Sequence, residues 1–186
     1  MKALVQCMLK TWRMPQPRVI ISVIGGAAAG SSSESEQEVM ASQQQLVLRR
    51  GLLRAAHTTR AWLVTEGTAN GVVPRMVGQL VQQDDEGYET VCLGLAAWDR
   101  VALHHEMEAK KTGAVYRYDH NAAAAQAAAT ETDVLPQQPL DANHTHFLLI
   151  DDPDGVQGSE VALRSELEKA LCNYNEGSKR KSEMPT

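Results

Sequence analysis

The sequence predicts an α/β fold, a parallel β-sheet with helices packed on both faces. Three observations carry that expectation. Short apolar runs alternate with segments of helical period. The runs are apolar at nearly every position, as strands buried on both faces are in parallel sheets. Glycine-bearing segments follow three of the runs, at the strand ends where such sheets bind ligands. The chain has 186 residues, enough for one domain with a sizeable core. Its hydrophobic content is 43% but its aromatic content only 4%, with Phe147 the sole phenylalanine, so that core must be aliphatic and alanine-rich.

Residues 1–16 read as an N-terminal segment, and no small-residue cleavage site follows "MKALVQCMLK", so no signal peptide is expected. "RVIISVIGG" (Arg18–Gly26) is a β-branched run closed by two glycines, read as a strand buried on both faces. The small, polar "AAAGSSSESEQ" reads as a mobile loop. A helix is expected over about 38–59, with Gly51 an unfavourable interior residue. "AWLVT" is the second strand, and Val72–Gln83 carries a helical stripe in which Pro74 fits only the first turn. "TVCLGLA" (Thr90–Ala96) is the third strand. Residues 109–135 read as a surface insertion. They hold a short strand "VYRY" and the low-complexity "NAAAAQAAATET", which has helix propensity but nothing to bury. "THFLLIDD" is the fourth strand. In the helix "SEVALRSELEKALCNYN", Val161, Leu163, Leu167 and Leu171 are expected on one side, with Glu166 and Glu168 facing solvent. The charged tail, 175–186, reads as disordered.

Charge and composition exclude several function classes. A net charge of −5 argues against nucleic-acid binding, which requires a basic stripe. No apolar run approaches the ~18 residues that span a bilayer, so no direct membrane insertion is expected. Cys7, Cys92 and Cys172 are odd in number and form no CxxC, which reads as reduced thiols in a cytoplasmic protein.

Four segments are specific enough to identify a family. "PRVIISVIGGA", "RRGLLRAAHTTRAWLVTEGTANGVVPRMVG", "GLAAW" and "LDANHTHFLLIDDPDGVQGSEVALRSELEKAL" stand in the order found in the N-terminal homology region of melastatin-type TRP (TRPM) cation channels. The resemblance covers about Pro17 to Leu171, with the poorest match between Ala109 and Leu135. That region is identified as a member of the SLOG superfamily, which implies a Rossmann-like sheet and a cytosolic ligand-sensing domain. The implied ligand is an ADP-ribose-like nucleotide, and the implied assembly is a homo-oligomer through a parent channel. The chain would then be a fragment of a channel or a free-standing relative, at the cytosolic face of a membrane in the first case. The domain itself would span 17–174.

Carried over residue by residue, the resemblance places Gly25 and Gly26 in a first ligand-binding glycine pair. Glu66, Gly67, Thr68 and Gly71 fall in a second loop, and Gly155, Gly158, Glu160 and Arg164 in a third. Two departures stand out. Ile24 replaces a threonine hydroxyl, and Glu66 replaces the first glycine of a T-G-G segment, bringing a carboxylate where a phosphate would lie. Arg164, in the first turn of the last helix, is poorly placed for the helix dipole, which suggests an anionic partner; the plainer reading is a surface ion pair with Glu160.

No metal site or cofactor is expected. His144 and His146 alternate on one strand, with Asp151 and Asp152 about 15 Å away, so they read as oriented buried histidines rather than ligands. No GxSxG, P-loop or Cys-His pair in catalytic context is present. The related phosphoribohydrolases of the lonely-guy type use a glutamate in a P-G-G-x-G-T-x-x-E segment. "DPDGVQGSE" keeps two glycines and Glu160 but lacks the proline-glycine pair and the threonine, so binding is favoured over N-glycoside hydrolysis. A third reading is a structural interaction domain whose pocket has decayed, which Ile24 and Glu66 favour.

Overall fold

The computed structural model describes residues 1–25, 49–69, 71–84, 89–110, 113, 115–129, 137–151 and 159–182, with backbone alone at 49–50, 159 and 175–182. Gly26, Gly155 and Gly158 therefore lie outside the described residues, as do the expected mobile loop, most of the helix expected from residue 38, and Asp152. Helix α1 (Lys2–Gln6) continues as a π-helical turn, Cys7–Thr11. The strands are β1 (Val19–Ser22), β2 (Ala61–Glu66), β3 (Cys92–Ala97) and β4 (His146–Ile150). Between them lie α2 (Arg54–Thr59, preceded by a π-helical turn), α3 (Val72–Gln82), α4 (His104–Glu108) and α5 (His120–Ala129), and α6 (Ser159–Ser182) follows β4.

The four strands pair in sequence order, β1-β2-β3-β4, and every pair is parallel. The alternation of side chains along each strand sorts the core into two layers. Trp62 and Val64 of β2, Leu93 and Leu95 of β3 and Leu148 of β4 meet Val5, Met8, Leu167 and Leu171, so α1 and α6 cover one face. Ala61, Leu63 and Cys92 meet Ala56 and Val77, so α2 and α3 cover the other. Helices on both faces of a Rossmann-like parallel sheet are thus what the chain forms. α6 lies over the face that α2 and α3 do not occupy.

Several elements depart from the expectation. The first strand is not buried on both faces: β1 has four residues and stands at the sheet edge with Val19 exposed, and Ile24 beyond it is 76% exposed. A β-branched run reads the same in an edge strand as in a central one. Residues 115–118 form no strand. The Tyr118 hydroxyl instead donates to the Ala102 carbonyl and accepts from the Leu140 N–H. The alanine-rich segment is not an unburied insertion either. Asp119 caps α5 by accepting from the N–H groups of Asn121 and Ala122, and Ala123 is fully buried against Ala102 and Leu103. On α6, Val161 is 59% exposed while Arg164 joins Leu167 and Leu171 on the buried stripe. Glu166 faces solvent as expected, but Glu168 is half-buried with Oε1 enclosed.

Candidate functional site

Of the expected ligand-binding residues that are described, Gly25, Glu66, Gly67, Thr68 and Gly71 lie at the carboxyl edge of the sheet. Glu66 ends β2, and the chain turns through Gly67 and Thr68 to Gly71, the N-cap of α3. No side chain caps that helix. A segment that sequence reasoning did not single out braces this turn. Ala69 N–H donates to the Pro139 carbonyl (2.8 Å), Asp141 N–H donates to the Gly67 carbonyl (3.0 Å), and Thr68 bridges to Leu140. Its only sequence signal is "LDANH", which stands within the fourth family segment.

Below the brace lies a buried pair, His144 Nδ1 and Asp141 Oδ2 at 3.1 Å. Asp141 Oδ1 also accepts from the backbone and side chain of Asn143. His144 sits in the turn before β4 and only His146 is in the strand, so the two do not share a strand face as expected. Burial is the correct reading for His144, which is 7% exposed. Among the described residues no group of three potential ligands could hold a metal. Burial, with a smaller push from the Asp141 charge, raises the Cys92 thiol to about 12, so it is inert at neutral pH.

The glycines have steric explanations inside the fold. A Cβ on Gly25 would overlap the Val73 side chain in the first turn of α3. One on Gly71 would stand 2.7 Å from Pro74 Cδ, and one on Gly67 would stand 3.1 Å from the Gly94 backbone. Thr68 is buried, and its hydroxyl donates to Glu66 Oε1 at 2.9 Å. Glu66 therefore turns into its own loop rather than out to solvent, and the carboxylate carries part of the loop's hydrogen bonding.

Glu160 is half-buried in the first turn of α6. Arg164 is the sixth residue, in the second turn rather than the first, and is only 8% exposed. Its buried Nε has no acceptor, and no ion pair to it occurs among the described residues. The surface ion pair with Glu160 is thus absent. A guanidinium keeps its charge at any accessible pH, and burying one without an anion is costly.

The opposite edge of the sheet holds two adjoining cavities of about 390 and 400 Å³, which share Pro15, Glu89, Thr90 and Val91. Arg13 lines one and Arg60 the other, both with left-handed backbones (φ 56° and 51°). Here the helices α2 and α3 end, and the negative poles of their dipoles oppose an anion.

Comparison with known proteins agrees with this architecture. A family model described as SLOG in TRPM matches residues 1–186. A transient receptor potential cation channel subfamily M member-like 2 of Nematostella vectensis is 30% identical over 180 residues, covering 92% of this chain and 10% of the channel. Subfamily M member 7 of Homo sapiens is 30% identical over 172 residues, covering 91% of this chain and 8% of that protein. Subfamily M member 2 of Rattus norvegicus is 32% identical over 177 residues, covering 89% and 10%. The chain thus spans about a tenth of the length of the curated relatives it matches. By its fold and its sequence together, the chain belongs to the SLOG family of TRPM channels.

Proposed function

We propose that this domain senses an anionic nucleotide of the ADP-ribose type at the carboxyl edge of its sheet, as a cytosolic part of a TRPM-like channel or as a free-standing relative. The observation that carries the reading is Arg164. A side chain more than nine-tenths buried, whose Nε meets no acceptor among the described residues, is a charge waiting for a counter-ion. Phosphate is the fitting partner, because the planar fork can hold two of its oxygens at once. Calorimetric titration with ADP-ribose tests this. Arg164→Ala should weaken binding by about 2 kcal/mol or more. Equal affinity in mutant and parent removes Arg164 from the site, and no binding by the parent overturns the reading.

A structural domain with a decayed pocket is the second reading. The observation favouring it is that a Cβ on Gly25, Gly67 or Gly71 would crowd neighbouring protein atoms with no ligand present. Hydrolysis of an N-glycosidic bond would fall to Glu160. Release of base from nucleoside monophosphates, abolished in Glu160→Gln, would establish it over binding alone.

A further inference from the structure

We propose that Tyr118 and His120 position the β2–α3 loop for its ligand, acting through the backbone of Leu140. The proposal rests on the anionic-nucleotide reading above, since that loop holds Gly67, Thr68 and Gly71.

Residues 138–141 pass between the loop and the start of α5. Ala69 N–H donates to the Pro139 carbonyl at 2.8 Å, and Asp141 N–H donates to the Gly67 carbonyl at 3.0 Å. Leu140, between them, faces Thr68 in an antiparallel bridge. In such pairing, alternate residues turn their backbone groups to the partner and the residue between turns both away. Leu140 does so. Its N–H donates to the Tyr118 hydroxyl at 3.2 Å, and its carbonyl accepts from His120 Nδ1 at 3.2 Å. Two side chains thus stand where a neighbouring strand would otherwise be.

Both are themselves held. The Tyr118 hydroxyl donates onward to the Ala102 carbonyl at 3.1 Å, and its ring meets that of His120 edge to face, with centroids 4.9 Å apart. Gln138 ties the same stretch from the other end: Ala102 N–H donates to its carbonyl, and its N–H donates to the Arg100 carbonyl. Leu140 is 6% exposed, so water does not readily replace a lost partner of its backbone. Recognition by a glycine loop falls to backbone groups, which serve a ligand only when held in place. The Thr68 hydroxyl is already committed to Glu66. The aim of the loop therefore follows the position of residues 139–141, and that position follows Tyr118 and His120.

Amide hydrogen exchange on the full chain, resolved by residue, tests the role together with ADP-ribose titration. In Tyr118→Phe, the Ala69 and Asp141 amides should exchange about fivefold or more faster, the worth of roughly one hydrogen bond. The Gly67 amide, which donates to Leu95 across the sheet, should not change. ADP-ribose affinity should fall by a similar factor. His120→Ala should act in the same direction, and His120→Asn, which returns a donor near the place of Nδ1, should restore both readouts. Gln126→Ala loosens α5 without touching Leu140 and should leave the two amides protected. Unchanged exchange in Tyr118→Phe, or equal loosening in Gln126→Ala, overturns the positioning role. Faster exchange with unchanged ADP-ribose affinity shows that the ligand does not use this loop; it overturns the proposal while leaving the anionic-nucleotide reading standing. A parent that binds no ADP-ribose overturns that reading and the proposal with it.

Discussion

Cys92 is fully buried at the start of β3, and burial holds its thiol protonated to about 12 against an ordinary 9.0. Because the folded-state value lies above the unfolded one, the associated stability is complete below pH 9 and is lost as pH rises toward 12. Unfolding midpoints measured from pH 8 to 11 should fall, and fall less in Cys92→Ala. Alkylation of the native protein should label the exposed Cys172 and spare Cys92 until denaturant is added. Arg164 makes the opposite trade. Arg164→Leu removes an uncompensated buried charge, so it should raise the melting temperature of the ligand-free protein by a few degrees while destroying nucleotide binding. That it belongs to the last helix was legible in the sequence, though not its turn. Its burial was not, because an arginine among Leu163, Leu167 and Leu171 reads as a solvated neighbour of the apolar stripe.

At the level of elements, what the sequence conveyed best was the central sheet. β2 and β3 are apolar at nearly every position and are buried on both faces, as their patterns say. The β3–β4 connection was misread because its signals are polar and sparse. One tyrosine hydroxyl, one aspartate cap and one alanine hold it, and none of these makes an apolar period. Gln126 Oε1 accepts from the N–H of Leu103, a residue held at φ 64°. Gln126→Ala should therefore cost about 1–2 kcal/mol in chemical denaturation, which no surface alanine-rich insertion would show. β2 and β3 are tied just as closely. A Cβ on Gly94 would stand 2.6 Å from the Gly67 Cα, backbone that cannot swing aside. Gly94→Ala should cost about 2–3 kcal/mol or more, and a near-neutral melting curve would show that the strands can separate there.

Over the whole molecule, the two-layered parallel fold was legible because periodicity reports it directly. Which face each helix covers was not. α6 lies opposite α2 and α3, and no local pattern encodes which face a helix returns to. The amino edge shows the same limit. Arg13 and Arg60 occupy left-handed positions where glycine is the usual choice. Arg60→Gly should therefore raise the unfolding free energy by about 0.5–1 kcal/mol unless that edge uses the arginine.

The arrangement of helices also orders events in time. The face lined by Trp62, Val64, Leu93 and Leu95 is closed by the first helix and the last, and α1 touches α6 across it. Parallel strands in sequence order offer no hairpin from which to start, so every pairing waits for a long connection to be made. On a ribosome, β1 to β4 emerge with one side covered by α2 and α3 and the other covered only in part, by Val5 and Met8. That side dries only when Leu167 and Leu171 arrive. Until then the nascent chain displays a large apolar sheet, the kind of surface chaperones bind.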